Sequence, residues 1–153
     1  METANIRLIS NWDHCSQILT GFLKLQEEGF LKIQLKDDRC ARKTSTDYAA
    51  VLVEYKNLHL CYDVMDGYQD VDGMRSLLQW SNLYFKRSFS DVLNNKYFSE
   101  DESVKIHPLG MNYQVSCKGN PYNFLGGGGE IPYSDSVEIN QSHTLRRTDL
   151  KQE

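Results

Sequence analysis

The first 35 residues show two periods of apolar and polar positions. Ile6 to Ile9 is a short run of aliphatic residues, and Leu31 to Leu35 alternates apolar with polar side chains, so both stretches are predicted as strands. The apolar positions between them recur with helical spacing at Ile18, Leu19, Phe22 and Leu23. Asn11 or Asp13 is expected to cap this helix, and Gly29 to follow its C-terminus. The pattern predicts a β–α–β unit with a right-handed crossover.

The middle of the chain has the pattern of a hairpin. Residues 49–55 and 58–63 each place apolar side chains on alternate positions, which predicts two strands joined at Lys56-Asn57. Asn57 is the residue of this pair that accepts a positive φ, so a tight turn or a slightly longer loop is expected there.

A second strand–helix–strand unit is predicted after the hairpin. Residues 65–73 are rich in Asp and Gly and are expected to form a loop, with Asp72 capping a helix that ends near residue 81. Residues 83–85 then return as a buried strand, 91–98 as a short helix and 105–109 as an extended piece.

These elements predict an α/β fold, with a single Rossmann-like domain over residues 5–118. Its sheet is expected to be mainly parallel, with the β-hairpin built into it. Residues 119–153 contain the glycine run 126–129 and little periodicity, so they are expected to form a Gly-rich, poorly ordered and flexible tail. The glycine run lacks the Lys-Ser/Thr of a phosphate-binding loop, and we expect it to act as a linker.

Composition narrows the classes of function. The 153 residues carry a formal net charge of −4, which argues against a nucleic-acid partner. Four cysteines occur without a C-x-x-C pair, so neither a metal nor another cofactor is expected. No run of roughly 20 apolar residues and no signal peptide are evident, which predicts a cytoplasmic protein that is at most peripheral at the inner membrane face.

Polar residues that follow the predicted strands are the candidate site, because ligands of open α/β sheets bind beyond the carboxyl ends of the strands. Asp13, His14 and His107 are the candidate proton acceptors, that is, the candidate catalytic residues. The candidate substrate-binding residues are Asn11, Asp66, Lys86, Arg87 and Asn112.

Most of these residues also have a structural interpretation. Asn11 or Asp13 is explained as a helix cap, Asp66 as a turn residue and His107 as a structural histidine. Lys86 and Arg87 are adjacent on a strand and point to opposite faces, so at most one of them faces a given ligand. Arg87 is the better candidate for a phosphate or carboxylate because its planar fork binds such groups bidentately, and the alternative is a surface ion pair.

Three motifs in this order resemble the N-terminal domain of bacterial polysaccharide-biosynthesis glycosyltransferases of the GT-B architecture: Y-D-V-M-D-G (62–67), L-Y-F-K-R-S-F (83–89) and H-P-L-G-M-N-Y (107–113). The resemblance covers about residues 5 to 117. It implies an acceptor-side domain for a glycan or lipid-linked acceptor. The acceptor side would be lined by Asp13, Asp66, Lys86, Arg87 and His107.

The resemblance also implies that the nucleotide-sugar donor is bound by a second domain. A complete enzyme of that type has about twice this length. The chain is therefore expected to be a truncated gene product, a subunit of a split enzyme or a domain fragment. In each case it would be inactive alone and would need a donor-domain protein partner. The alternative is a non-catalytic α/β module for protein binding or assembly. A small stand-alone α/β enzyme is less favoured, because no nucleophile or phosphate loop is recognisable.

Overall fold

The sheet has six strands in the order β2-β1-β3-β4-β5-β6 in the computed structural model, which describes residues 1–39, 48–115, 117 and 119–122. In chain order the elements are β1 (Thr3–Leu8), α1 (Cys15–Glu27), β2 (Lys32–Asp37), β3 (Ala50–Tyr55), β4 (Leu58–Asp63), α2 (Val71–Trp80), β5 (Leu83–Lys86), α3 (Asp91–Tyr97), α4 (Glu100–Ser103) and β6 (Ile106–Pro108). β3 runs antiparallel to both of its neighbours, and the other strands share one direction. The predicted α/β class, mainly parallel sheet and hairpin are confirmed. None of the described helices is both long and apolar enough to cross a bilayer.

The first β–α–β unit has the predicted order, but its helix begins differently. β1 and β2 are parallel, and Gly29 follows α1 with a φ of 81°, as expected for glycine at this position. His14 occupies the N-cap position of α1, and no side chain caps the helix, so the predicted capping by Asn11 or Asp13 is wrong. The Asp13 carboxylate instead accepts a hydrogen bond from Gln114 Nε2 at 2.7 Å, which directs it away from the helix.

Two predicted details of the middle of the chain are also wrong. The Asp70 carboxylate, not that of Asp72, caps α2 by accepting a hydrogen bond from Gly73 N at 2.9 Å. In the β3–β4 hairpin the positive φ falls on Lys56, at 55°, and not on Asn57. Both corrections concern the exact residue at a turn, and both leave the order of the elements unchanged.

Helices cover the two faces of the sheet unequally. α1 packs on one face, against a buried cluster that includes Ile6 and Val51, and α2 packs on the other, against a cluster that includes Cys61 and Tyr84. Because side chains alternate along a strand, the residues next to Cys61 and Tyr84 point to the face of α1. Tyr62 of β4 and Phe85 of β5 therefore lie on the α1 face, whereas α1 itself packs mainly on β2 and β3.

The segment after β6 returns across α1, and we call residues 109–122 the return segment. Tyr113 N donates to Gln17 Oε1 at 2.6 Å, and Asn120 Nδ2 donates to Ser16 O at 2.9 Å. Asn120 and Tyr122 are buried, so packed residues also occur after the predicted boundary at 118. The rest of the predicted tail, including the glycine run, and residues 40–47 lie outside the described residues.

Candidate functional site

An ion pair lies in the core at the carboxyl ends of β4 and β5. Asp63 Oδ2 and Lys86 Nζ are 3.1 Å apart, and both side chains are fully buried. The hydroxyls of Tyr48 and Tyr84 both donate to Asp63 Oδ2, at 2.8 and 2.6 Å. Lys86 Nζ also donates to the carbonyl of Met65 at 2.7 Å, so the ammonium has more than one oxygen partner. We call these residues the buried polar cluster.

The buried polar cluster is a structural feature in its present geometry. Burial, followed by the negative charge of Asp63, raises the pKa of the Tyr48 and Tyr84 hydroxyls, which therefore remain protonated donors. A fully buried ammonium that already contacts Asp63 and a carbonyl does not reach a ligand at the surface. The contacts of Lys86 thus favour a structural role for this side chain.

Asp66 and Arg87 lie together at the surface of the same edge. Arg87 Nε is 3.7 Å from Asp66 Oδ1, and Ser88 Oγ donates to the same oxygen at 3.3 Å. The Arg87 side chain is only 11% exposed, whereas that of Asp66 is 68% exposed. Arg87 Nη1 is buried and has no hydrogen-bond partner among the described residues. This guanidinium keeps donor capacity for an anionic or hydroxylated ligand.

The predicted residues at the start of α1 lie at the end of β1. Asn11 is exposed, and Asp13 is held by Gln114 of the return segment. His14 Nδ1 is buried without a hydrogen-bond partner among the described residues. Trp12 is 42% exposed, and its ring centroid lies 6.4 Å from that of His14. A carboxylate, an imidazole and an accessible aromatic ring are thus adjacent at this point.

His107 is in a different environment from Asp13 and His14. It lies opposite Phe85 in the β5–β6 register, with ring centroids 5.8 Å apart, and Phe85 stacks on Tyr62 at 5.0 Å. Four inter-strand spacings separate β1 from β6, which corresponds to about 19 Å. The three residues predicted to be catalytic are therefore divided between two parts of the sheet, with His107 in a row of aromatic rings.

A groove of about 490 Å³ lies on the α1 face beside this row. Its lining residues come from α1, β4 and the return segment, and none of them is charged: Gln17, Ile18, Gly21, Phe22, Leu25, Tyr62, Leu109, Met111 and Asn112. The Phe22 and Tyr62 rings meet edge to face, with centroids 5.9 Å apart. Asn112 is 4% exposed, and its Oδ1 has no hydrogen-bond partner in the described part of the chain. Of the predicted site residues, Asn112 is the one that lines this groove.

The sequence analysis did not single out several residues of the buried polar cluster and of the groove. Asp63 and Tyr84 lie within the quoted motifs, but their burial could not be read from the motifs. Gly21 interrupts the helical pattern of α1 and is a visible signal, since glycine weakens a helix interior. Gln17 carries no comparable signal. Among the described residues, no group of His, Cys, Asp or Glu side chains has an arrangement that could hold a metal ion.

We compared the chain with protein-family models, with curated proteins and with solved structures, and none of them matches it.

Proposed function

We propose that this chain is the acceptor-side domain of a glycosyltransferase that moves a sugar from a nucleotide sugar to a glycan or lipid-linked acceptor. The observation that carries the proposal is that the three motifs of the resemblance meet as one structural unit. The Asp63–Lys86 ion pair joins the first motif to the second, and Leu109 N of the third donates to Lys86 O at 2.9 Å. This unit lies at the carboxyl ends of β4, β5 and β6, where open α/β sheets bind ligands.

The surface residues of this edge have the chemistry that sugar transfer needs. An acceptor hydroxyl must lose a proton, and Asp13 and His14 at the end of β1 are the groups we assign to this step. The Gln114 amide holds one oxygen of the Asp13 carboxylate, which orients the other. Arg87 is the cation that would face negative charge on a phosphate-containing acceptor or leaving group. The donor would be held by a second domain, on the same or another polypeptide.

Titration calorimetry on the full chain tests whether it binds the acceptor while the donor is bound by a second domain. We expect UDP-glucose, UDP-galactose and GDP-mannose to bind with dissociation constants weaker than about 1 mM, because their main contacts belong to the other domain. Soluble oligosaccharides should bind, and Asp13→Asn should leave that binding within about twofold, because a proton acceptor acts in the chemical step. Tight 1:1 binding of a nucleotide sugar by this chain alone would contradict the proposal.

A non-catalytic binding or assembly module is the second candidate. Trp12, Met111 and Tyr113 are 42%, 65% and 64% exposed, so apolar side chains are available for contact after β1 and on the return segment. Size-exclusion chromatography with light scattering tests this candidate. Concentration-dependent association that is lost in Trp12→Ser and Tyr113→Ser would support it, and a strictly monomeric protein would count against it.

A lipid-linked acceptor would bring the domain to a membrane surface. We therefore include peripheral association with the inner membrane face in the proposal, with Trp12 as the residue suited to the interface. Co-sedimentation with vesicles of phosphatidylethanolamine and phosphatidylglycerol tests it: binding should fall in Trp12→Ser, and the absence of any binding would remove this part of the proposal.

A further inference from the structure

The groove on the α1 face contains a glycine that the helix itself does not need. Gly21 lies in the interior of α1, where glycine is less favourable than alanine because its backbone loses more freedom on folding. A Cβ at this position would meet no atom within 4 Å, so close packing among the described residues does not require glycine here. Gly21 lines the groove, and its missing side chain leaves this part of the groove open.

Asn112 is a second feature that costs stability in the same groove. A buried polar atom without a partner retains the penalty of losing its water. Asn112 Oδ1 is such an atom, whereas Asn120 of the same return segment donates to Ser16 O and to Thr20 Oγ1, at 2.9 and 2.8 Å. Gly21 and Asn112 each lower the stability of the fold, and both line the same groove. Residues that lower stability in this way are typical of binding sites, where function and not stability determines the residue.

The lining of the groove limits what it can bind. Aromatic rings of Phe22 and Tyr62 offer apolar surface, and the amides of Gln17 and Asn112 offer polar groups. Burial raises the pKa of the Tyr62 hydroxyl, so this ring is neutral, and no lining residue is charged. A volume of about 490 Å³ lies within the range of small-molecule sites, about 300–1,000 Å³. A neutral ligand with one apolar face and several hydroxyls fits this chemistry.

We propose that the groove between α1, Tyr62 and the return segment binds a neutral pyranose ring of the acceptor glycan. The apolar face of the sugar stacks on the aromatic rings, and a sugar hydroxyl donates to Asn112 Oδ1. The groove is thus a subsite apart from the edge that holds Asp13, His14, Asp66 and Arg87. This inference rests on the proposed function, and the uncharged lining with aromatic rings and amides is what favours a sugar ring.

The test uses the full chain with its methionine methyl groups labelled with ¹³C. Methyl β-glucoside, methyl β-galactoside, methyl α-mannoside, maltotriose and cellotriose are the probes. We expect at least one sugar to shift the signal of Met111, which lines the groove, and to leave that of Met74, which is 1% exposed in the core, unchanged. The Met111→Leu variant assigns the signal.

Substitutions at Gly21 and Asn112, with Asn120 as the control position, separate binding from folding. Gly21→Leu fills the groove and should weaken sugar binding by at least tenfold. Gly21→Ala should raise Tm by roughly 3–6 °C, because alanine favours the helix. Asn112→Leu removes the unpartnered oxygen, so it should keep or raise Tm while also weakening binding by about tenfold. Asn120→Leu is the matched control: it breaks satisfied hydrogen bonds and should lower Tm.

The outcomes distinguish this inference from the proposed function. If sugars bind with equal affinity to Gly21→Leu and Asn112→Leu, the groove is not the subsite, and the proposed function stands. If no sugar shifts Met111 in the parent chain, the groove proposal is overturned, whatever the calorimetric result for oligosaccharides. If the chain alone binds nucleotide sugars tightly, the proposed function fails even when the groove binds a sugar ring. Binding of an apolar peptide or an acyl chain in place of every sugar would also overturn the groove proposal.

Discussion

The Asp63 carboxylate and the Lys86 ammonium form an ion pair, 3.1 Å apart, in which both side chains are fully buried. A buried pair is costly to form, since both charges leave water, and its geometry must compensate with further hydrogen bonds. Here the two tyrosine hydroxyls on Asp63 and the Met65 carbonyl on Lys86 supply them. The pair fixes the ends of β4 and β5 against each other and so positions Asp66 and Arg87 at the surface.

Replacing one member of this pair should be far more damaging than replacing both. Asp63→Asn and Lys86→Met each leave an unpaired buried charge, and each should lower the free energy of unfolding by about 3–5 kcal/mol. The double variant leaves no buried charge, so it should lose less stability than either single variant, well below the sum of the two losses. Urea unfolding at pH 7 gives all three values, and strictly additive losses would show that the pair is not coupled.

The tyrosines of the buried polar cluster determine how the free energy of unfolding changes at alkaline pH. Burial, followed by the charge of Asp63, raises the pKa of Tyr48 and Tyr84 in the folded state, whereas unfolded tyrosine titrates near 10. Their contribution to stability is therefore complete below about pH 10. It is lost as the pH rises above that value, because the unfolded state releases these protons first.

Each of the two tyrosines should add about 1.4 kcal/mol per pH unit to the loss of stability above pH 10. Burial also raises the pKa of Cys15, to about 12, and that of Cys61, so some loss begins near pH 8.5, where unfolded cysteine titrates. Urea unfolding from pH 8 to 11 measures the slope. In Tyr48→Phe the slope above pH 10 should be smaller by about 1.4 kcal/mol per unit, and an unchanged slope would contradict this account.

The order of the elements could be predicted because each one has a local signal. The alternation in β3 and β4, the 3.6-residue period of α1 and Gly29 at its end all arise within about ten residues of sequence. The start of α4 also has such a signal, the capping box of Ser99 and Glu102. Local signals of this kind determine where an element lies, and they determine its terminal residue less well.

The candidate site depends on contacts across the sheet, and these have no local signal. Lys86 and Arg87 have similar charge in the sequence, but only the partner of Lys86 on β4, Asp63, explains why Lys86 is buried. The groove likewise forms only when the return segment crosses α1 and brings Asn112 close to Gly21, some 90 residues earlier. The distance between His107 and Asp13 likewise depends on the strand order, in which β3 lies between β1 and β4, and no local pattern in the sequence gives that order.

The N-terminal cap of α2 distinguishes two nearby aspartates. Asp70 accepts the hydrogen bond of Gly73 N, whereas the Asp72 side chain is 99% exposed. Asp70→Ala should therefore lower the free energy of unfolding by about 1 kcal/mol, which is typical for the loss of such a cap. Asp72→Ala is the matched control and should change little. Thermal unfolding of both variants decides between them, and a larger loss in Asp72→Ala would mean that Asp72 caps the helix in solution.

The β3–β4 hairpin provides the last prediction. Lys56 has a φ of 55°, a conformation in which every residue except glycine is strained by its Cβ. Its ammonium lies 2.8 Å from Glu2 Oε2, but both side chains are more than half exposed, so water screens this ion pair.

Lys56→Gly should therefore raise the free energy of unfolding by about 0.5–1 kcal/mol, because the relief of strain exceeds the loss of the ion pair. Asn57 is the matched position, since it has no positive φ and gains nothing from glycine. Asn57→Gly should lower stability, because glycine makes the unfolded chain more flexible without relieving strain. Urea unfolding of the two variants measures both effects, and stabilisation by Asn57→Gly instead of Lys56→Gly would show that the positive φ lies at Asn57, as the sequence alone suggested.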